Sequence, residues 1–165
     1  RTRSAVTCVC NTSPITNLAA IGQMELLSKL YGEVFVPDEV AQELAEGAPG
    51  SPGFVDVAEV AWIHAQPVEN RPLVASLLSE LDLGEAAAIA LAAEREALLL
   101  IDERRGRQVA ARLGLRHIGL LGALVVAKHR DLIPAVKPIL DDLVHTAGFW
   151  IGPALYDRVV KSVGG

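Results

Sequence analysis

Ala97-Leu98-Leu99-Leu100-Ile101-Asp102-Glu103-Arg104-Arg105-Gly106-Arg107 sets five uninterrupted apolar residues ahead of two acids and a basic cluster built around a glycine. A short unbroken apolar run suits a strand buried on both faces, as in a parallel sheet covered by helices. Asp102 then stands at the carboxyl end of that strand, where ligands bind in open α/β sheets. Asp102 and Glu103 are hard oxygen donors of the kind that hold Mg²⁺ or Mn²⁺. Arg104, Arg105 and Arg107 suit phosphate. Asp102 is equally suited to capping the helix that follows, so the rest of the chain has to decide between the two roles.

Outward from this stretch, strands and helices alternate. Ala5–Cys10 reads as a first buried strand. Asn11-Thr12-Ser13-Pro14 follows, with Thr12 or Ser13 placed to cap a helix whose first position is Pro14. Ile15, Leu18 and Ala19 begin its apolar face, Gly22 interrupts it, and Met24, Leu27 and Leu30 continue on a short second helix that stops near Gly32. Val34–Val36 is a second strand, and Pro37 opens a helix from Asp38 to about Glu46. There Val40 and Leu44 point inward, while Glu39, Glu43 and Glu46 form a neighbouring stripe. Gly47–Gly53 is a loop, and Trp62–Ala65 is a short strand. From Pro72 the pattern is helical. Asp82-Leu83-Gly84-Glu85 has the spacing of a capping box and opens an alanine-rich helix over 85–96. Gly106–Leu113 reads as a helix closed by Gly114, and Leu115–Ile118 as a strand. Gly119–His129, Pro134–His145 and Pro153–Val163 read as three further helices. This alternation predicts a three-layer α/β/α sandwich around a mostly parallel sheet, in one domain spanning residues 1–165.

Composition narrows the function. The chain has 165 residues, enough for one real core. No stretch reaches a transmembrane span, and the first residues show neither an h-region nor a cleavage site, so a cytoplasmic location is expected. The net charge of −5 argues against a broad electrostatic grip on nucleic acid. It is compatible with an acidic metal site beside a local basic patch, and five of the fifteen basic residues lie between Arg104 and Arg116. Aromatic residues make up 4%, which argues against base stacking along a platform as the main mode of recognition. Cys8 and Cys10, two apart on one strand, share a face and cannot easily bridge; they read as small core residues. Neither G-x-G-x-x-G nor a P-loop follows the first strand, which argues against a nucleotide-binding α/β protein.

Two strands thus end in a polar side chain, Asn11 after Cys10 and Asp102 after Ile101. If the strands are neighbours, these residues face one crevice. Glu43 and Glu85 lie on helices adjacent in the chain to those strands and are placed to complete an acidic pocket. Such a pocket is costly unless a cation neutralises it. Each member also has a plainer role: Asn11 in a turn, Glu43 as a solvated helix residue, Glu85 as the reciprocal member of a capping box, Arg105 and Arg107 as surface charges.

The runs V-C-N-T-S-P-I-T-N-L-A, V-P-D-E-V-A-Q-E-L, L-D-L-G-E-A-A-A-I-A-L-A and L-L-L-I-D-E-R-R-G-R-Q-V-A-A-R-L-G-L, in this order, resemble PIN-domain proteins, in particular a prokaryotic branch related to the toxin ribonucleases of toxin–antitoxin pairs. The resemblance covers nearly the whole chain. It implies Mg²⁺- or Mn²⁺-dependent hydrolysis of single-stranded RNA. It also implies Asn11, Glu43, Glu85 and Asp102 as the catalytic set, and Glu43, Glu85 and Asp102 as metal ligands, with Glu103 an alternative to Asp102 by spacing. In that reading Thr12 and Ser13 orient a ligand or water, and Arg105 and Arg107 hold phosphate. Asn11 stands where the family carries its first acid; its carbonyl oxygen can ligate a hard cation but brings no charge. The implied partners are an RNA substrate and an antitoxin protein. The apolar C-terminal region reads either as a homodimer surface or as core. A non-catalytic PIN-like module that binds RNA or a protein is the alternative function.

Overall fold

The computed structural model describes residues 7–164; the Ala5 and Val6 end of the first expected strand lies outside them. Five strands, β1 (Cys8–Cys10), β2 (Val34–Pro37), β3 (Ile63–Gln66), β4 (Leu98–Leu100) and β5 (His117–Ile118), form one sheet in the order β3-β2-β1-β4-β5. Every pairing is parallel. The helices among the described residues are α1 (Thr12–Ala20), α2 (Leu26–Tyr31), α3 (Asp38–Leu44), α4 (Arg71–Leu77), α5 (Leu83–Arg95), α6 (Arg104–Arg112), α7 (Leu120–His129), α8 (Lys137–His145) and α9 (Pro153–Ser162). A 3₁₀ turn at Val57–Glu59, which has no apolar period of its own, was not expected from the sequence.

The sheet separates two cores, and the strands show why their sequences do not alternate in polarity. Cys8, Cys10, Val34, Val36 and Leu100 pack with α1, α2, α3, α7, α8 and α9. Val9, Leu99 and Ile101 point the other way, onto α4, α5 and α6. Both faces of β1 and β4 are therefore dry, and both faces must be apolar. The alanines of α5, fully buried from Ala86 to Ala92 around Ile89 and Leu91, keep that helix close to the sheet. The thiols of Cys8 and Cys10 lie 3.9 Å apart on one face, within S–H···S contact and without a disulfide. Leu140, Leu143 and Val159 of α8 and α9 are buried in the first core, whereas Leu155 of α9 is exposed.

Three local expectations change. The N-cap of α1 is Asn11, with helix from Thr12 and Pro14 at its third position; neither Thr12 nor Ser13 caps it. Helix α6 begins at Arg104, not Gly106. Gly106 instead permits close packing, because a Cβ there would collide with the Ile101 side chain. Helix α8 starts at Lys137, after Pro134. The capping box is as read: the Asp82 carboxylate accepts from the Glu85 N–H at 2.8 Å, and the Glu85 carboxylate accepts from the Asp82 N–H at 3.2 Å.

The strand order places the functional crevice. The chain runs from β1 outward to β2 and β3 on one side, then returns to the centre with β4 and continues to β5 on the other. The order therefore reverses between β1 and β4, the position at which open α/β sheets bind ligands beyond their strand ends. These two strands pair from Cys8↔Leu98 to Cys10↔Leu100, and the Asn11 N–H extends the ladder to the Leu100 carbonyl at 3.0 Å.

Candidate functional site

Beyond the β1 and β4 ends lies a cavity of about 290 Å³ lined by Asn11, Thr12, Ser13, Thr16, Glu43, Asp82, Glu85 and Glu103. Four separate segments build it. Residues 11–16 come from the β1–α1 junction, Glu43 from the last turn of α3, Asp82 and Glu85 from the start of α5, and Glu103 from the N-cap of α6. Among the described residues Asn11, at 4% exposure, is the only buried polar one.

Each carboxylate is held by a neutral donor. Asn11 Nδ2 donates to Glu103 Oε1 at 3.1 Å, and Ser13 Oγ donates to Glu103 Oε2 at 3.1 Å. Thr12 Oγ1 makes a short hydrogen bond to Glu43 Oε1. Glu85 is held by its capping box. The hydroxyls of Thr12 and Ser13 thus serve acids that arrive from 31 and 90 positions away instead of the helix N-terminus beside them. They do not cap because the helix already begins at Thr12 with Asn11 as its N-cap, which leaves both hydroxyls inside the first turn and free to donate to the carboxylates.

The acids repel one another. Burial raises the Glu43 carboxyl above the ordinary glutamate range, and the charges of Asp82, Glu46 and Glu103 add to the effect against the lowering bond from Thr12. Burial likewise raises Glu85, with Asp82, Glu103 and Glu43 pushing the same way. The other two acids of the α3 stripe go elsewhere: Glu39 pairs with Arg71 at 2.9 Å and Glu46 is exposed.

Asp102 and Glu103, adjacent in sequence, part company. Glu103 enters the acidic cavity, whereas Asp102 lines a second cavity next to it. Asp102 Oδ1 accepts from the Leu120 N–H at 2.7 Å, at the first turn of α7. Asp102 therefore does serve a helix N-terminus, but of α7 instead of the helix that follows it in the chain. Its other oxygen, Oδ2, is buried without a hydrogen-bond partner. Burial raises its carboxyl, and the Leu120 N–H partly offsets this. Of the basic residues, Arg107 lines the second cavity, as does Arg104. Arg105 lines neither cavity, and its charge acts on Glu80. Trp150, also on the wall of the second cavity, was missed by the sequence reading; an isolated aromatic about fifty positions downstream carries no local signal.

The donor set suits a hard divalent cation in kind. It is all oxygen, its carboxylates are mutually repulsive, and Asn11 Oδ1 is a buried acceptor with no donor. As the side chains stand, no three His, Cys, Asp or Glu groups among the described residues converge into a metal cage. Also among the described residues, no helix is long and apolar enough to cross a membrane.

No curated protein matches the chain. The sequence profile of the PIN domain matches residues 7–165, nearly the full length, and the parallel sheet between two helical layers is the fold expected of that family. With the acidic cavity at the reversal of strand order and a profile match across all of its described residues, the chain belongs to the PIN-domain family.

Proposed function

We propose that this protein is a Mg²⁺- or Mn²⁺-dependent ribonuclease acting on single-stranded RNA. The observation that carries the reading is the cavity itself. Glu43 of α3, Glu85 of α5 and Glu103 at the N-cap of α6 line it together with Asn11, whose amide oxygen is buried without a donor, at the β1/β4 reversal. These four residues would hold the ion, with Asp102 supporting them from the adjoining cavity as the cap of α7. A divalent cation, when bound, supplies a lowered pKa for water and compensates charge developing on the phosphate. Ser13 and the Asn11 amide position Glu103, and Thr12 positions Glu43. Arg104 and Arg107 lie where an incoming phosphodiester would need positive charge.

The test is cleavage of a panel of short single-stranded RNAs with Mn²⁺, comparing the wild type with Glu103→Gln and Glu43→Gln. Cleavage lost in both variants is expected. A wild type that cuts nothing across the panel overturns the reading.

A second reading has its own observation. Asn11 brings no charge, and no three acidic side chains converge as placed, which favours a PIN-like module that binds RNA or a protein without cutting. Calorimetry with Mn²⁺ separates the two, since the module binds no ion. A toxin role opposed by an antitoxin protein belongs to the family resemblance. Its test is growth arrest on expression, relieved by the product of a neighbouring gene.

A further inference from the structure

The second cavity, about 580 Å³, is bounded by Asp102, Glu103, Arg104, Arg107, Phe149 and Trp150, among others. It shares Glu103 with the acidic cavity, so the two grooves adjoin at that side chain. Trp150 is 84% exposed, far more than any other large apolar side chain among the described residues. Its exposure is built in. The flanking Phe149 and Ile151 pack against the first core, and the Phe149 N–H bonds to the Leu143 carbonyl at 2.9 Å. The loop is thereby anchored on both sides of an indole that faces solvent. Across the groove, Arg104 and Arg107 are exposed, and neither enters an ion pair among the described residues. Gly119 leaves the space that Arg107 occupies: a Cβ there would sit 3.1 Å from both Arg107 Nη1 and Asp102 Oδ1.

We infer that this groove is a nucleotide subsite for single-stranded RNA, in which one unpaired base stacks on Trp150 while Arg104 and Arg107 hold its phosphate beside the acidic cavity. The inference rests on the ribonuclease reading for its substrate class and adds where that substrate lies. An indole face accepts any base, so the subsite selects for an unpaired strand and not for a sequence. Two exposed cations, of which Arg107 also acts on the charge of Asp102, beside an exposed aromatic favour a polyanion carrying flat bases over an apolar peptide. A stacked base must also be free of a complementary strand.

The experiment uses a 2′-O-methyl hexanucleotide, which resists cleavage, in EDTA and low salt. Trp62→Phe leaves Trp150 as the sole indole reporter. Saturable quenching of its emission by the single strand, and none by the same strand in a duplex, is the expected result. Trp150→Ala, followed by the anisotropy of a dye-labelled copy of the same strand because it has no indole to quench, should bind about ten-fold more weakly, with Trp150→Phe recovering part of the loss. Arg107→Gln should lower the dependence of log affinity on log salt by about 0.7. Trp150 is exposed, so its replacement leaves both cores intact. Absence of quenching, or equal affinity in Trp150→Ala, overturns the subsite. Because cation and cleavage are absent from this assay, RNA cutting without Trp150-dependent binding sinks the subsite alone. Trp150-dependent binding without cutting sinks the ribonuclease reading alone.

Discussion

Gly84 offers a way to perturb the acidic cavity without perturbing the fold. It lies in the first turn of α5 with no side chain, and a Cβ placed there would sit 2.5 Å from Glu43 Oε1 and 2.7 Å from Oε2. Ordinary contact begins at 3.4 Å, so in Gly84→Ala the Glu43 carboxylate must retreat by about an ångström. The obstructed atoms end a flexible side chain, and the retreat costs at most its hydrogen bond from Thr12, about 1 kcal/mol. Against it stands the gain from replacing glycine by alanine in a helix, at most about 1 kcal/mol. The two effects offset, and the melting temperature without a cation should stay within about 4 °C of wild type. The site responds differently. A displacement of about an ångström in a group that positions a reaction can cost about a hundred-fold in rate. The expected result is a native melt, a loss of most of the Mn²⁺-induced rise in melting temperature, and a drop in kcat/KM of about two orders of magnitude on a short RNA. A variant that keeps the full Mn²⁺ response and full activity would falsify the placement of Glu43 at the centre of the site. A variant that melts more than about 10 °C lower would refute the premise that Glu43 is free to move aside.

Asn11→Asp removes the donor to Glu103 Oε1 and sets two carboxylates face to face. It should destabilise the cation-free protein by about 2 kcal/mol and gain more from Mn²⁺ than wild type does; identical melts with and without Mn²⁺ count against this. Asp102→Asn keeps an acceptor for the Leu120 N–H and should melt within about 0.5 kcal/mol of wild type, whereas Asp102→Ala loses a cap worth about 1 kcal/mol. Glu103→Gln should abolish the Mn²⁺ response that Asp102→Asn largely keeps; the reverse order in calorimetry would make Asp102 the ligand. The carboxyls of Glu43 and Glu85 are raised by burial in the folded state. The folded protein therefore holds more protons than the unfolded chain across that window. The contribution of these two groups to cation-free stability is greatest below the ordinary glutamate range and falls as pH rises through the raised values. Mn²⁺ competes with those protons, so its stabilising effect should grow from about pH 4 to about pH 7; melts showing a pH-independent Mn²⁺ effect would locate the ion elsewhere.

Much of this architecture is legible in the residues because local chemistry and final environment agree. Leu98 to Ile101 need no polar positions when both faces are covered, and Asp82 with Glu85 make a capping box that depends on no distant partner. The site is less legible for the opposite reason. Thr12 and Ser13 look like helix caps, but the helix starts at Thr12, and their hydroxyls donate to Glu43 and Glu103, acids that a local rule does not bring near. Asp102 and Glu103 are both acids after one strand, and which of them enters the cavity depends on the Leu120 N–H, a donor 18 positions away. Arg104 and Arg105 are indistinguishable as letters, yet only Arg104 lines the groove. Trp150 acquires meaning only from the helix it finds itself opposite.

The adjacency of β1 and β4 also fixes an order of events during synthesis. Asn11 and Glu103 are 92 positions apart in the chain, and β4 is the last of the elements that bring acids to the cavity. At about 5–20 residues per second, some 5–20 seconds separate the emergence of the two from the ribosome. Through that interval the growing polypeptide already contains Asn11, Glu43 and, toward its end, Glu85, but lacks the strand that closes the centre of the sheet. For the ribonuclease proposed above, whose substrate is the kind of molecule along which every protein is made, this connectivity withholds the finished centre until Glu103 has been added.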